Sequence, residues 1–235
     1  MNMPIFVFYH VYAFGDWVPL VTEQLYKVKN SGLYDECLAM FVSFIGDEKA
    51  IEKYYELISD FKKIHTSKAD NINNKEYDAI HSLWYCVKDT FPYILNGFGE
   101  IDVQFFYFHT KGIHSGRELP HIATRMNDWR LMMEYFLIEN WKTCSELLND
   151  KDTDAVGCNY REQDLFGVWR GHFSGNFWAS KSSYLIKLPE PQKESATWDV
   201  LHNEFWIGFE KPRVKILHES HIDHYNNNYS SENYL

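Results

Sequence analysis

The sequence predicts an α/β protein of one domain, with a mostly parallel mixed sheet covered by helices on both faces. Three observations lead there. Residues 4–9, 38–45 and 105–108 are short runs of β-branched and aromatic residues, with the length and composition of strands. Amphipathic stretches of helical period separate them, so strand and helix alternate through the first half of the chain. The 235 residues carry no internal repeat and no linker rich in Pro, Gly or Ser, and a 45% hydrophobic content over that length fills a single core.

Residues 4–9 form the first strand, starting behind Pro4, and residues 10–15 form the loop after it. Asp16 caps a helix carrying Val18, Val21, Leu25 and Val28 on one face, and Asn30-Ser31-Gly32 ends it. A second buried strand at 38–45 leads to a helix from Asp47 to about residue 61, then a short strand at 62–66. After a polar loop at 67–74, a helix at 75–89 places Tyr77, Ile80, Leu83, Trp84 and Val87 together. Pro92 breaks that pattern, and a glycine-containing loop enters the central strand. A long helix at 120–148 follows, with Met126, Trp129, Met133, Phe136, Leu137 and Trp141 along one side. Residues 154–158 read as a short strand, 159–171 as irregular, 172–179 as a strand and 180–188 as a short helix. A helix at 196–205 and a last strand at 214–217 complete a domain of residues 1–225, leaving 226–235 as a loose polar tail.

The formal charge of −10 repels nucleic acid and anionic lipid, so any bound anion needs a local cationic pocket. Cys37, Cys86, Cys144 and Cys158 lie far apart with no CxxC pair, which argues against a zinc knuckle or a disulfide framework. Free thiols in a reducing cytoplasm are the simplest account of them. The apolar first fourteen residues lack a basic leader and a small-residue cleavage site, so they read as core. No run approaches the roughly 18 apolar residues of a transmembrane segment.

Chemistry gathers at Phe105-Phe106-Tyr107-Phe108-His109-Thr110-Lys111-Gly112. Four aromatics make a buried strand that stops at an imidazole, a hydroxyl, an ammonium and a glycine. Open α/β sheets bind ligands beyond the carboxyl ends of their strands, and this quartet offers donors to an anion with room for close backbone approach. An ordinary turn that solvates its lysine is the competing account. At the end of the first strand, Tyr12 can stack on a base and His10 can bond ribose or phosphate; Tyr9 reads better as core. Arg130 is either a phosphate ligand or the partner of Glu134, its i+4 neighbour. In His172-Phe173-Ser174-Gly175-Asn176-Phe177-Trp178, Ser-Gly-Asn is costly inside a strand that merely packs, which favours function over a bulge.

The ordered series of these marks, over about residues 4–224, resembles the GT-A family of nucleotide-sugar glycosyltransferases. Tyr107–Gly112, Asn127-Asp128-Trp129-Arg130 and His172–Trp178 also look like segments of small glycosyltransferase-like proteins of bacteria and large viruses. The resemblance implies a GT-A-like, Rossmann-like sheet, a nucleotide-sugar donor and a glycan or glycoconjugate acceptor. It implies donor binding by His10, Tyr12, His109, Thr110, Lys111 and Arg130, with Arg117 as a further cation near Lys111. On the acceptor side it implies Ser174, Gly175, Asn176 and Trp178, the last stacking on a sugar face. Glu204, or else Asp199, takes the place of the acceptor base. The family's metal-binding Asp-x-Asp is missing from the central strand end; Asp150-Lys151-Asp152 lies in a predicted loop. Lys111 would then neutralise the diphosphate, so that no cofactor is required. The other possibility is a divalent metal (Mn or Mg), held by His109 with His218, the histidine after the last strand; His218, His221 and His224 read equally as solvated. Inversion is favoured, since no residue pair suggests a covalent intermediate. The alternatives are a non-catalytic carbohydrate-binding scaffold that keeps the cleft, and a metal-dependent hydrolase built on the C-terminal histidines.

Overall fold

The structure, a computed structural model, describes residues 3–69, 76–90, 102–112, 120–165, 168–192 and 202–235. The first half alternates as expected: β1 (Ile5–Tyr12), α1 (Trp17–Asn30), α2 (Leu33–Glu36), β2 (Ala39–Ile45), α3 (Glu48–Leu57), β3 (Ile64–Lys68), α4 (Tyr77–Tyr85) and β4 (Gln104–His109). Asp47 caps α3 by accepting from the Ala50 amide at 2.8 Å, whereas Asp16 precedes α1 without a side-chain cap bond. β1 runs three residues past its expected end, so His10 and Tyr12 belong to the strand rather than to a loop.

The second half departs more. The predicted long helix is α5 (Pro120–Glu134), a π-helical turn at Tyr135–Glu139, and α6 (Trp141–Leu148). Residues 159–171, expected to be irregular, form most of a hairpin after β5 (Ala155–Cys158): β6 (Tyr160–Leu165) pairs antiparallel with β7 (Val168–Phe173). The predicted strand at 172–179 is broken by a turn between β7 and β8 (Trp178–Lys181), closed by the Asn176 amide donating to Phe173 O at 2.8 Å. Gly175, at φ +95°, occupies the turn position that requires a left-handed residue. In a turn, Ser-Gly-Asn carries no penalty. α7 (Ser182–Leu185), α8 (His202–Phe205) and β9 (Val214–His218) follow.

A seven-stranded sheet runs β3-β2-β1-β4-β8-β5-β9, with β8 alone antiparallel to its neighbours. Strand alternation sorts the side chains into two cores. Val7, Tyr9, Val42, Phe106 and Phe108 face α1, α3, α5 and α6, while Phe8, Phe105, Tyr107 and Trp178 face α4 and α7. The expected α/β class and mixed sheet are therefore present, with helices on both faces. None of the described helices is long and apolar enough to cross a membrane.

Most of the last ten residues are exposed, but two aromatics are anchored. Tyr229 is buried and Tyr234 packs against Tyr135 and Phe136, because aromatic rings in a polar tail still lower their free energy by leaving water.

Candidate functional site

β1 is flanked by β2 on one side and β4 on the other, both parallel to it, so the strand order reverses between β1 and β4. At such a switch point the connecting helices diverge to opposite faces and leave a crevice at the carboxyl strand ends. The two strands are tied together at that edge. The Thr110 amide donates to His10 O at 3.0 Å, and the Tyr12 amide donates to Thr110 Oγ1 at 2.8 Å. Gln24 of α1 fixes the same end by donating to His109 O at 3.1 Å.

Lys111 follows directly. Its ammonium does not reach into bulk solvent: it lies 4.1 Å from the centre of the Trp129 ring, a cation–π contact. Burial holds its pKa below the ordinary lysine value, and the Glu204 and Glu76 carboxylates partly offset this. Lys111 and Gly112 line a cleft of about 440 Å³ between the start of α1 (Asp16, Glu23) and α5 (Met126, Arg130). Thus the central cation and the segment after the first strand share one cleft.

His109 is buried beside it. Its Nε2 donates to Gly175 O at 3.0 Å, and Glu76 Oε1 stands 3.4 Å from Nδ1. Burial first, then the nearby Lys111 ammonium, push this imidazole down to about 3, so it is neutral at pH 7. His10, also buried, is pushed down to about 4 by burial, which outweighs the opposing Glu76 charge. Glu204, on α8, accepts from the Gly175 amide at 3.0 Å. Gly175 thereby joins the end of β4 to the acidic helix. A Cβ there would stand 2.6 Å from Met133 Sδ and 3.1 Å from Trp129 Cζ2, so only glycine fits this approach.

The structure redistributes several expected roles. Trp178 is fully buried, stacked on Tyr107 with ring centres 5.1 Å apart, and presents no face to a sugar. Asn176 is buried too: its amide donates to Glu76 and its Oδ1 accepts from Trp178 Nε1 at 2.8 Å. These two shape the floor of the site, while Ser174 stays partly exposed at its rim. Arg130 lines the cleft, but Nη1 donates to Glu134 at 2.6 Å and Nη2 to Glu23 at 3.0 Å and Asn127 at 2.6 Å. Both Nη atoms are thus engaged by Glu134, Glu23 and Asn127, while Nε has no partner in the protein. Asp199 and Arg117 lie outside the described residues.

The residues present do not fit a metal centre built on His218. That ring stacks on Phe136 at 4.8 Å and bonds Tyr229 through Nε2 at 2.7 Å. No group of three or more His, Cys, Asp or Glu among the described residues is arranged to hold a metal ion. Asp152 and Asp154 pair with Arg213 at 3.0 and 2.8 Å, at the start of β5 and so at the edge of the sheet opposite the crevice. His224, by contrast, joins the site from behind. Its ring stacks on Trp129 at 4.9 Å and 7°, and its Nε2 accepts from Ser220 Oγ at 2.8 Å and Asn159 Nδ2 at 3.3 Å.

Two participants escaped sequence reasoning. Glu76 falls in the first turn of the predicted helix at 75–89 and carries no motif; only its place just before α4 brings it to His109. Trp129 looked like one of six core residues on a helix face. Among the described residues, the buried polar side-chain atoms without a partner in the protein are His10 Nδ1, Ser43 Oγ, Trp84 Nε1, Gln104 Oε1, Trp129 Nε1, Arg130 Nε, Thr153 Oγ1, Asn203 Nδ2 and His224 Nδ1. Each costs about 1–3 kcal/mol unless something meets it.

The chain belongs to the family described as a domain of unknown function (DUF8361), whose model matches residues 8–231. No curated protein matches the sequence. Among solved structures, the crystal structure of 4-diphosphocytidyl-2C-methyl-D-erythritol synthase is similar. The two are 9% identical, with a TM-score of 0.43 over 98% of this chain and 94% of that one.

Proposed function

We propose that this protein is a glycosyltransferase that moves a sugar from a nucleoside-diphosphate donor to an acceptor hydroxyl. One observation carries the reading: a desolvated lysine stands at the switch point of a parallel sheet, in a cleft shared with the first strand's loop. Its ammonium is held by Trp129 before any anion arrives, so charge building on a departing diphosphate meets a preorganised cation. The bond from the sugar's anomeric carbon to the diphosphate breaks, with its electron pair leaving on the diphosphate oxygen. The acceptor oxygen bonds to that carbon, and its proton passes to the Glu204 carboxylate, with inversion. His109 and His10 are buried at the ends of β4 and β1 and are not among the residues that line the cleft. Lys111 supplies the positive charge, so the reading needs no metal.

The test is titration with a panel of nucleoside diphosphates and nucleotide sugars, with and without manganese, followed by thermal shift. One diphosphate should raise the melting temperature by mass action. Lys111→Ala should lower its affinity roughly 10- to 100-fold, the worth of one charge-assisted contact. Glu204→Gln should keep the affinity and lose turnover. Full activity in both variants overturns the assignment, and nucleotide binding without any turnover favours the scaffold alternative.

A further inference from the structure

The parallel register places two cross-strand rows, one above the other, on the α4 face of the sheet. The lower row is aromatic: Tyr107, Phe8, Phe41 and His65 are successive register partners across β4, β1, β2 and β3. Phe8 and Phe41 stack with centres 4.9 Å apart, and Phe41 and His65 stack at 5.5 Å. The upper row is polar: His109, His10, Ser43 and Ser67 follow one another across the same strands, one pleat nearer the carboxyl ends. Register partners in parallel strands point to the same face, so this row is continuous from the His109–Glu76 corner to the sheet edge.

Between these rows and α4 lies a pocket of about 210 Å³, lined by Phe8, Phe41, Ser43, His65, Ser82 and Cys86 among others. Ser43 is 4% exposed and its Oγ has no partner. Its neighbour in the row, His10, is 2% exposed with Nδ1 also unpartnered. A hydroxyl and a ring nitrogen, both buried and both unsatisfied, stand above a shelf of stacked rings. Pockets for whole drug-sized ligands run to about 300–1,000 Å³, so this one suits a single small ring system. Its chemistry, aromatic below and hydrogen-bonding at the edge, suits a flat heterocycle with polar atoms on its rim.

We infer that this pocket takes the nucleobase of the nucleotide, laid against the Phe41–His65 rings and bonded at its edge by Ser43 and His10. The inference rests on the proposed donor site and extends it. The polar row leads from the base along His10 to His109, beside Lys111, where the diphosphate is held. Base and diphosphate are therefore read by separate parts of the strand edge, and the two can be lost separately.

The experiment is calorimetric titration of the full chain with the four common nucleosides, their diphosphates and inorganic pyrophosphate. It is run on the native protein, Ser43→Ala and Phe41→Leu. One nucleoside should bind alone, more weakly than its diphosphate, and slow the alkylation of Cys86. Ser43→Ala should weaken that nucleoside and its diphosphate about tenfold, leave pyrophosphate unchanged, and keep or raise the unfolding midpoint, because it deletes an unsatisfied hydroxyl. A purely structural Ser43 would lower the midpoint and spare affinity, which overturns the inference. Diphosphate affinity unchanged in both variants also overturns it and leaves the Lys111 site standing. Nucleoside binding without pyrophosphate binding supports the base pocket and removes the proposed diphosphate site instead. No binding of any nucleoside or diphosphate to the native protein overturns both.

Discussion

Replacing Glu134 with alanine tests the wall of the cleft. Glu134 is wholly buried and accepts from Arg130 Nη1 at 2.6 Å, Lys27 Nζ at 2.8 Å and Gln24 Nε2 at 2.7 Å. Gln24 in turn accepts from the Tyr9 hydroxyl at 2.6 Å and donates to His109 O, so the carboxylate links α5, α1, β1 and the end of β4. Removing one partner of a buried pair costs about 3–5 kcal/mol, because the other charge is left uncompensated. Here neither cation is stranded. Lys27 keeps Glu23 at 3.3 Å and Glu139 at 3.4 Å, and Arg130 keeps Glu23 and Asn127. The expected loss is therefore the lower figure, about 3 kcal/mol, a substantial share of the 5–15 kcal/mol that holds a typical domain. Urea unfolding measures it as a lower midpoint at unchanged m. The double variant Glu134→Leu with Arg130→Met, which removes both charges and keeps the volume, should recover most of the loss. A loss below about 1 kcal/mol in the single variant, or no recovery in the double, would refute a network held by charge pairing.

Two further outcomes follow from the same structure. His10, His109 and His224 are buried and pushed down to about 4, 3 and 4 from the ordinary 6.5, mainly by burial. Their stabilising share is complete above pH 6.5 and is lost as the pH falls from there toward 4, because only the unfolded chain takes up those protons. The unfolding free energy should fall by up to about 1.4 kcal/mol per pH unit for each histidine, and a flat profile between pH 7 and 5 contradicts their burial. Gly208→Ala should destabilise by about 3 kcal/mol or more, since its Cβ would be built 1.7 Å from Gly171 O and would pry the α8 region off β7. Turnover should fall with it as Glu204 moves from Gly175; calorimetry and an activity assay read the two effects separately.

The first half of the fold was legible because its signals are local. β1, β2 and β4 are runs of strand-forming residues between amphipathic helices, and the alternation alone implies parallel pairing. The second half failed where local signals conflict. Residues 160–173 alternate charge with aromatics weakly, and their pairing as β6 and β7 depends on each other rather than on propensity. The strand end at His109–Gly112 was visible because polar residues interrupt an aromatic run. Glu76 was not, since a carboxylate in the first turn of a helix is ordinary until α4 brings it to the end of β4. Trp178 misled for a physical reason: tryptophan suits a sugar face and a core equally, and only topology shows that β8 lies between β4 and β5. The two polar atoms of the proposed base pocket were hidden for another reason. Ser43 and His10 look unrelated until the register makes them neighbours.

Gly175 explains why the two halves of the proposed site need not be assembled by a moving element. Its carbonyl accepts from His109, the last residue of β4, and its amide donates to Glu204, the candidate base on α8. Two backbone groups of one residue thus fix the distance between the strand end that leads into Lys111 and the carboxylate that would receive the proton. Both bonds persist only while the residue keeps its left-handed conformation, and the Met133 and Trp129 side chains leave no room for a Cβ that would change it. Trp129 is also the ring on which the Lys111 ammonium rests. The cation, the imidazole and the carboxylate are therefore positioned by one turn against one indole, which makes that turn, rather than any single charged side chain, the structural centre of the proposed chemistry.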